Sequence, residues 1–152
     1  MTIRDAVPKD LSEICALVRE LADYEHLSDE VVLDEASFGR SLFEDVVARV
    51  LIAEDDDAPG VVGMALWFPT FSTFLGRPGI WLEDLFVRPA FRGRGHGLAL
   101  LQMLRSMTDG RVEWSVLDWN EPSIQLYDSL GARAVTGWTH YRWDGVVVAP
   151  GQ

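Results

Sequence analysis

Positive charge is scarce in this chain: 13 Lys+Arg face 24 Asp+Glu, for a formal net charge of −11 at pH 7. That balance argues against a nucleic-acid partner, because phosphate contacts need a clustered basic surface. Cysteine is scarcer still. Cys15 stands alone, so no internal disulfide can form, and its place on the apolar face of a predicted helix reads as a buried structural thiol rather than a nucleophile. No hydrophobic run approaches the roughly 20 residues of a membrane span. Met1-Thr2-Ile3-Arg4-Asp5 lacks the apolar run of a signal peptide. A cytoplasmic protein with no membrane partner is therefore expected. His26 and His140 have no His, Cys or acid partners at zinc-site spacing, so no metal is expected. What remains, 152 residues with 48% hydrophobic, 11% aromatic and 24% charged, is the composition of a single globular domain spanning 1–152 with its own core. Its negative field favours small cationic substrates over anionic ones.

Thr2-Ile3-Arg4 is β-compatible, and Asp10-Leu11-Ser12-Glu13 has capping-box spacing before Leu11, Ile14, Val18, Leu21 and Ala22 recur at helical intervals. That helix should end near Tyr24-Glu25, with a second over about Glu35 to Glu44. Val46 to Ala53 and Val61 to Phe68 read as strands around the acidic turn Glu54-Asp55-Asp56-Asp57-Ala58-Pro59-Gly60, which is expected to be a solvated loop. Phe71 to Gly79 reads as an irregular connection that narrows a cleft. It delivers the chain into a central strand, Ile80 to Val87. Two adjacent acids, Glu83 and Asp84, interrupt that strand, a conflict resolved by pairing, by solvation in a cleft or by a bulge. Then follow a helix Gly95 to Met107, a strand Arg111 to Leu117, a helix Pro122 to Leu130 closed by Gly131, and strand pieces at Ala134-Val135 and Thr139 to Trp143. The order describes one mixed α/β domain. The six tryptophans do not alternate with a basic stripe and read as core and cleft walls.

Directly after the central strand comes Arg88-Pro89-Ala90-Phe91-Arg92-Gly93-Arg94-Gly95-His96-Gly97, opening into a helix. A glycine-rich strand-to-helix turn aims backbone N–H groups at one point and adds the positive end of a helix dipole, which suits phosphate or pyrophosphate. Gly93, Gly95 and Gly97 clear Cβ atoms from the approach, while Arg92 and Arg94 can add charge. His96 reads as a neighbour of the phosphate rather than a base. No Gly-Lys-Ser/Thr follows, so this is not a Walker loop. No acid-tipped strand follows about 20 residues on, so it is not a dinucleotide fingerprint.

Arg92-x-x-Gly95-x-Gly97 after an acid-interrupted strand resembles the GNAT superfamily of N-acetyltransferases, and the order of elements is similar over essentially the whole chain. Leu82-Glu83-Asp84-Leu85-Phe86-Val87, Trp119-Asn120-Glu121-Pro122-Ser123-Ile124, Tyr127, Leu130-Gly131-Ala132 and Glu20-Leu21-Ala22-Asp23-Tyr24-Glu25 resemble its diamine branch, the spermidine/spermine and thialysine N-acetyltransferases. The resemblance implies a mixed, mostly antiparallel sheet of about seven strands flanked by about four helices, with a V-shaped splay between the fourth and fifth strands. It also implies acetyl-CoA as co-substrate. Leu85, Phe86 and Val87 would line the pantetheine arm, Arg92, Gly93, Arg94, Gly95, His96 and Gly97 would hold the pyrophosphate, and Asn120 and Ser123 would bind the cofactor arm. Tyr127 would lie near the thioester sulfur as general acid, although its spacing from Ile124 and Leu130 also fits a core residue. The branch further implies a homodimer that exchanges or pairs C-terminal strands.

The chemistry asks for similar roles. A Lys-like amine has a pKa near ~10.4 and must lose a proton before attacking a thioester. Glu83 is the first choice of acceptor, through water, with Asp84 sharing the task or holding the ammonium, and Tyr24 and Glu25 completing an acidic substrate channel. The expected reaction is direct acetyl transfer to the primary amine of a small cationic acceptor: a polyamine, a diamine or a thialysine-like amino acid. The alternatives are a protein N-terminal or lysine acetyltransferase and a non-catalytic CoA-binding module.

Overall fold

The computed structural model describes residues 1–145; the end of the expected 1–152 domain, residues 146–152, lies outside them. The chain divides into two compact units, Met1–Ser115 and Val116 onward. The first holds a five-stranded sheet in sequence order: β1 (Thr2–Asp5), β2 (Arg49–Glu54), β3 (Val61–Ser72), β4 (Arg77–Val87) and β5 (Val112–Trp114). The first four pair antiparallel and β5 pairs parallel to β4. Helices α1 (Leu11–Tyr24) and α2 (Glu35–Phe43) come between β1 and β2, and α3 (His96–Ser106) comes between β4 and β5. The second unit carries α4 (Glu121–Ser129).

Alternation along the strands divides the core into two faces. Val50, Ile52, Met64, Leu66 and Phe86 meet Ile14, Leu17 and Leu21 of α1 and Leu42 of α2. The intervening positions, among them Leu51, Ala65 and Leu82, are buried on the opposite face, where α3 packs with Leu100 and Leu104 inward. Cys15 is fully buried in α1, and burial pushes its thiol pKa up.

Several sequence-based expectations shift. The expected capping box at Asp10 does not form, because the Asp10 carboxylate takes a two-pronged ion pair from Arg4 at 2.8 and 3.0 Å and a bond from the Val7 N–H at 2.8 Å. Arg4 also reaches Glu54 at 2.8 Å, so one guanidinium ties β1, the start of α1 and the end of β2 together. The strand expected from Val46 starts at Arg49, since Val46 sits at a left-handed φ of 51° in a tight turn. The irregular connection expected over Phe71 to Gly79 is instead the end of a long hairpin. The β3–β4 ladder runs on through Thr70–Gly79, Phe71–Pro78 and Ser72–Arg77, leaving residues 73–76 as the turn.

The sheet has five strands among the described residues rather than about seven. The two C-terminal pieces, 134–135 and 139–143, are not strands. A strand exists only where its N–H and C=O groups find a ladder partner, which β-compatible sequence alone does not supply. Trp138 and Trp143, read in the sequence as core or cleft walls, are exposed, as are Val135 and Tyr141.

Candidate functional site

The acids that interrupt β4 sit at a β-bulge. Leu66 pairs with Asp84 and Trp67 pairs with Leu82, so Glu83 is the extra residue. The bulge reverses the alternation beyond it and turns Asp84 and Phe86 to the α1 face, together with Met64 and Leu66. Pairing with β5 stops at the same place: Leu82 is opposite Trp114, and β5 goes no further. From Glu83 to Val87, β4 therefore has β3 on one side and no strand on the other among the described residues.

Three carboxylates gather here. Asp84 has its pKa pushed up to about 6, first by burial and then by the negative charges of Glu83 and Glu25. Glu25, just beyond the end of α1, is half-buried, and burial raises its pKa too. Glu83 is exposed and accepts a 2.8 Å bond from the Trp81 indole N–H, which steers its carboxylate. The end of α1 is held in place from below. Arg88, at the end of β4, donates to Glu20 at 2.9 Å, to Glu13 at 3.1 Å and to the Val61 carbonyl at 2.8 Å.

Arg92 joins this acid cluster to the glycine loop. Its guanidinium stacks 4.6 Å over the Tyr24 ring and 5.6 Å over Phe86, while its Nε donates to the Val87 carbonyl at 2.9 Å. Loop, end of α1 and end of β4 are thereby fixed to one another.

The loop suits a phosphate group. Gly93 and Gly95 lie at left-handed φ of 75° and 90°, where a side chain would be strained. A Cβ at Gly93 would meet nothing within 4 Å, so the approach is open. Gly95 caps α3 without a side-chain hydrogen bond, and the first N–H groups of a helix have no intrahelical partner. The side chains do something the sequence did not suggest. Arg94 lies near Asp55 and Asp57, at 3.5 and 3.6 Å. The His96 ring is buried and its Nε2 lies 2.7 Å from an Asp55 oxygen, so a phosphate would meet the His96 backbone rather than its imidazole. The only sequence signal for this contact was an acidic turn, and acidic turns are usually solvated.

The first unit thus brings together Tyr24, Glu25, Glu83, Asp84, Leu85, Phe86, Val87 and residues 92–97. Asn120, Ser123 and Tyr127 belong to the second unit, where Asn120 precedes α4 and is buried, and Ser123 and Tyr127 are half-buried on the helix. No group of His, Cys, Asp or Glu among the described residues is arranged to hold a metal ion, and no helix among them is long and apolar enough to cross a membrane.

The profile of the Acetyltransferase (GNAT) family matches residues 13–132, from α1 through the acidic strand and the glycine loop to the end of α4. The chain belongs to the GNAT acetyltransferase family. It is an N-acetyltransferase, and its co-substrate is acetyl-CoA. Among curated relatives, the thialysine N-epsilon-acetyltransferase of Sus scrofa is 36% identical, with 94% of this chain and 92% of that protein covered. The enzyme of the same name from Bos taurus is 37% identical over the same shares. The fold is shared with an integron cassette protein from the mobile metagenome of V. cholerae, at a TM-score of 0.77 and 23% identity over 95% of this chain and 93% of the other.

Proposed function

We propose that this GNAT enzyme acetylates the side-chain amine of a small thialysine-like amino acid, with Asp84 and Glu83 as the proton-accepting pair and Tyr127 as the acid. The observation that carries the reading is the carboxylate cluster Glu25, Glu83 and Asp84, one member of which titrates near 6, beside an uncapped glycine loop. The relatives named above as thialysine acetyltransferases support the choice of acceptor.

The roles follow from elementary chemistry. The ammonium of the acceptor is drawn to the cluster, where Glu25 and Glu83 offset its charge. Asp84 is mostly ionised at pH 7 yet close enough to neutrality to take a proton, directly or through water, and later release it to solvent. The freed amine nitrogen attacks the acetyl carbonyl carbon, the C–S bond breaks, and Tyr127 gives the departing thiolate its proton. No acyl-enzyme forms, and Cys15, buried in α1, takes no part. Backbone groups of Leu85 and Val87, on the stretch of β4 left open beyond β5, hold the pantetheine arm as a V-shaped splay would allow. The Phe86 side chain supports Arg92 from below. Residues 92–97 take the pyrophosphate, and Asn120 and Ser123 take the cofactor arm. Tyr24 anchors Arg92 and lines the acceptor side. The reading further includes one acetyltransferase domain over 1–152, a cytoplasmic setting where acetyl-CoA is made, and a homodimer supported by the exposed aromatics of residues 132–145. A non-catalytic CoA-binding module would have no use for a half-buried carboxylate poised near neutrality.

The test is release of CoA from acetyl-CoA, followed with a thiol reagent, over a panel of thialysine, lysine, ornithine, spermidine, putrescine and a short peptide. Saturable release with thialysine at the highest kcat/KM is expected. Preference for spermidine or for the peptide would contradict the assigned acceptor.

A further inference from the structure

We infer that Asp55 is a positioning residue for acetyl-CoA: through the buried imidazole of His96 it holds the 92–97 loop in the shape that receives a pyrophosphate. The inference rests on the reading of that loop as the cofactor site. Asp55 follows β2 directly and opens a turn of three consecutive aspartates. The side chains of Asp56 and Asp57 are 83% and 85% exposed, whereas that of Asp55 is 9% exposed. Its Oδ1 accepts from the Asp57 N–H at 2.9 Å, which fixes the carboxylate within its own turn. Its Oδ2 faces His96 Nε2 at 2.7 Å across 41 residues of sequence. Those bonds to the Asp57 N–H and to His96 hold the carboxyl below the usual carboxylate range, so Asp55 accepts and Nε2 carries the proton.

The ring depends on that contact. Its side chain is 0% exposed, and Nδ1 is buried without a hydrogen-bond partner. Loss of Asp55 would leave both ring nitrogens without a partner at the first residue of α3, and a buried unsatisfied imidazole drives rearrangement. Arg92 anchors the start of the loop on Tyr24, Phe86 and the Val87 carbonyl, but the glycine segment beyond it has no such anchor of its own. Gly93 and Gly95 flank Arg94, and neither has a side chain to pack, so the segment most able to approach a phosphate is also the easiest to deform. Asp55 anchors it at two points, His96 and Arg94, and the Arg94 charge at 3.5 Å offsets the carboxylate that would otherwise repel a phosphate. A hydrogen-bonded brace set before binding lowers the ordering cost of binding and so acts on cofactor affinity, not on the acetyl-transfer step.

The experiment measures CoA affinity by calorimetry, together with KM for acetyl-CoA, KM for the amine and kcat, in Asp55→Ala, Asp55→Asn and Asp57→Ala. Asp55→Ala is expected to raise the Kd for CoA and the KM for acetyl-CoA about tenfold, with kcat and the amine KM within about twofold. Asp55→Asn keeps an oxygen that can accept the Nε2 proton and is expected to recover most of the affinity. Asp57→Ala, on the exposed side of the same turn, is expected to behave as wild type. A folded Asp55→Ala protein with wild-type CoA affinity would overturn the inference, as would an equal loss in Asp57→Ala or a fall in kcat with affinity intact. Should Asp55→Ala not fold, Asp55→Glu, which displaces the carboxylate by one methylene, is held to the same thresholds. Failure of the wild-type protein to bind CoA would overturn the loop assignment itself; normal wild-type binding with an indifferent Asp55→Ala would overturn only the brace.

Discussion

The glycine loop and the acid cluster of this enzyme adjoin one another but are built in opposite ways. The loop is a local object. Residues 92–97 are contiguous, the left-handed φ values of Gly93 and Gly95 follow from residue type, and the uncapped end of α3 supplies the donors. The cluster is assembled at long range, with Glu25 from the end of α1 and Glu83 and Asp84 from a bulge in β4. A backbone site of the first kind fails when its backbone is blocked or loses the brace that shapes it. A side-chain site of the second kind fails one carboxylate at a time.

The largest effect should come from the chemistry of the second kind. Asp84→Asn and Tyr127→Phe are each expected to lower kcat by about 10²–10⁴-fold, the range typical of general acid–base groups, while calorimetry finds CoA affinity nearly unchanged. Parallel losses of CoA binding would break the separation between the two sites. Gly95→Val tests the first kind. A valine at a φ of 90° is strained, by about 1–3 kcal/mol, so CoA binding should weaken about tenfold or more. Normal affinity would remove the loop from the cofactor site.

A third prediction concerns stability. The folded pKa of Asp84, about 6, lies above its unfolded value of 3.8, so ionising it works against folding. That destabilisation is fully present above the folded value and fades as pH falls through about 6 toward 4. Asp84→Asn is therefore expected to be more stable than wild type at pH 8, by about 3 kcal/mol from a shift of about two pH units, and to lose most of that advantage at pH 4. Denaturant melts at the two pH values check it; a variant no more stable at pH 8 would mean the carboxylate is solvated. The smallest effect belongs to Glu83→Gln. This exposed residue should slow turnover by less than about tenfold and shift the acid limb of the pH–rate profile downward, because one negative neighbour of Asp84 is gone. An unchanged limb would take Glu83 out of the cluster.

The same contrast explains what was legible in the sequence. The glycines of the loop and the start of α3 could be read from residue type, and α1, α2, α3 and α4 lie close to where periodicity placed them. The interruption of the central strand by Glu83-Asp84 left pairing, solvation in a cleft or a bulge open, and the ladder shows the bulge. Hidden were the consequences of long-range pairing. Asp10 looks like a cap until Arg4 is brought beside it, and Asp55 looks solvated until His96 is brought to 2.7 Å. Which of the two acids turns to the α1 face was hidden as well: the bulge puts Asp84 there, where burial raises its pKa, and leaves Glu83 exposed. Residues 134–135 and 139–143 have strand-like composition, but composition cannot say whether a neighbouring strand is present to pair with.

The most direct test of a carboxylate cluster poised for proton transfer is kcat/KM for the amine acceptor, at saturating acetyl-CoA, from pH 4.5 to 8 in wild type and in Asp84→Asn. The expected wild-type profile falls below an apparent pKa near 6 that belongs to the cluster, and Asp84→Asn loses that limb along with most of its rate. A limb near 4, or one near 6 that persists unchanged in Asp84→Asn, would contradict it.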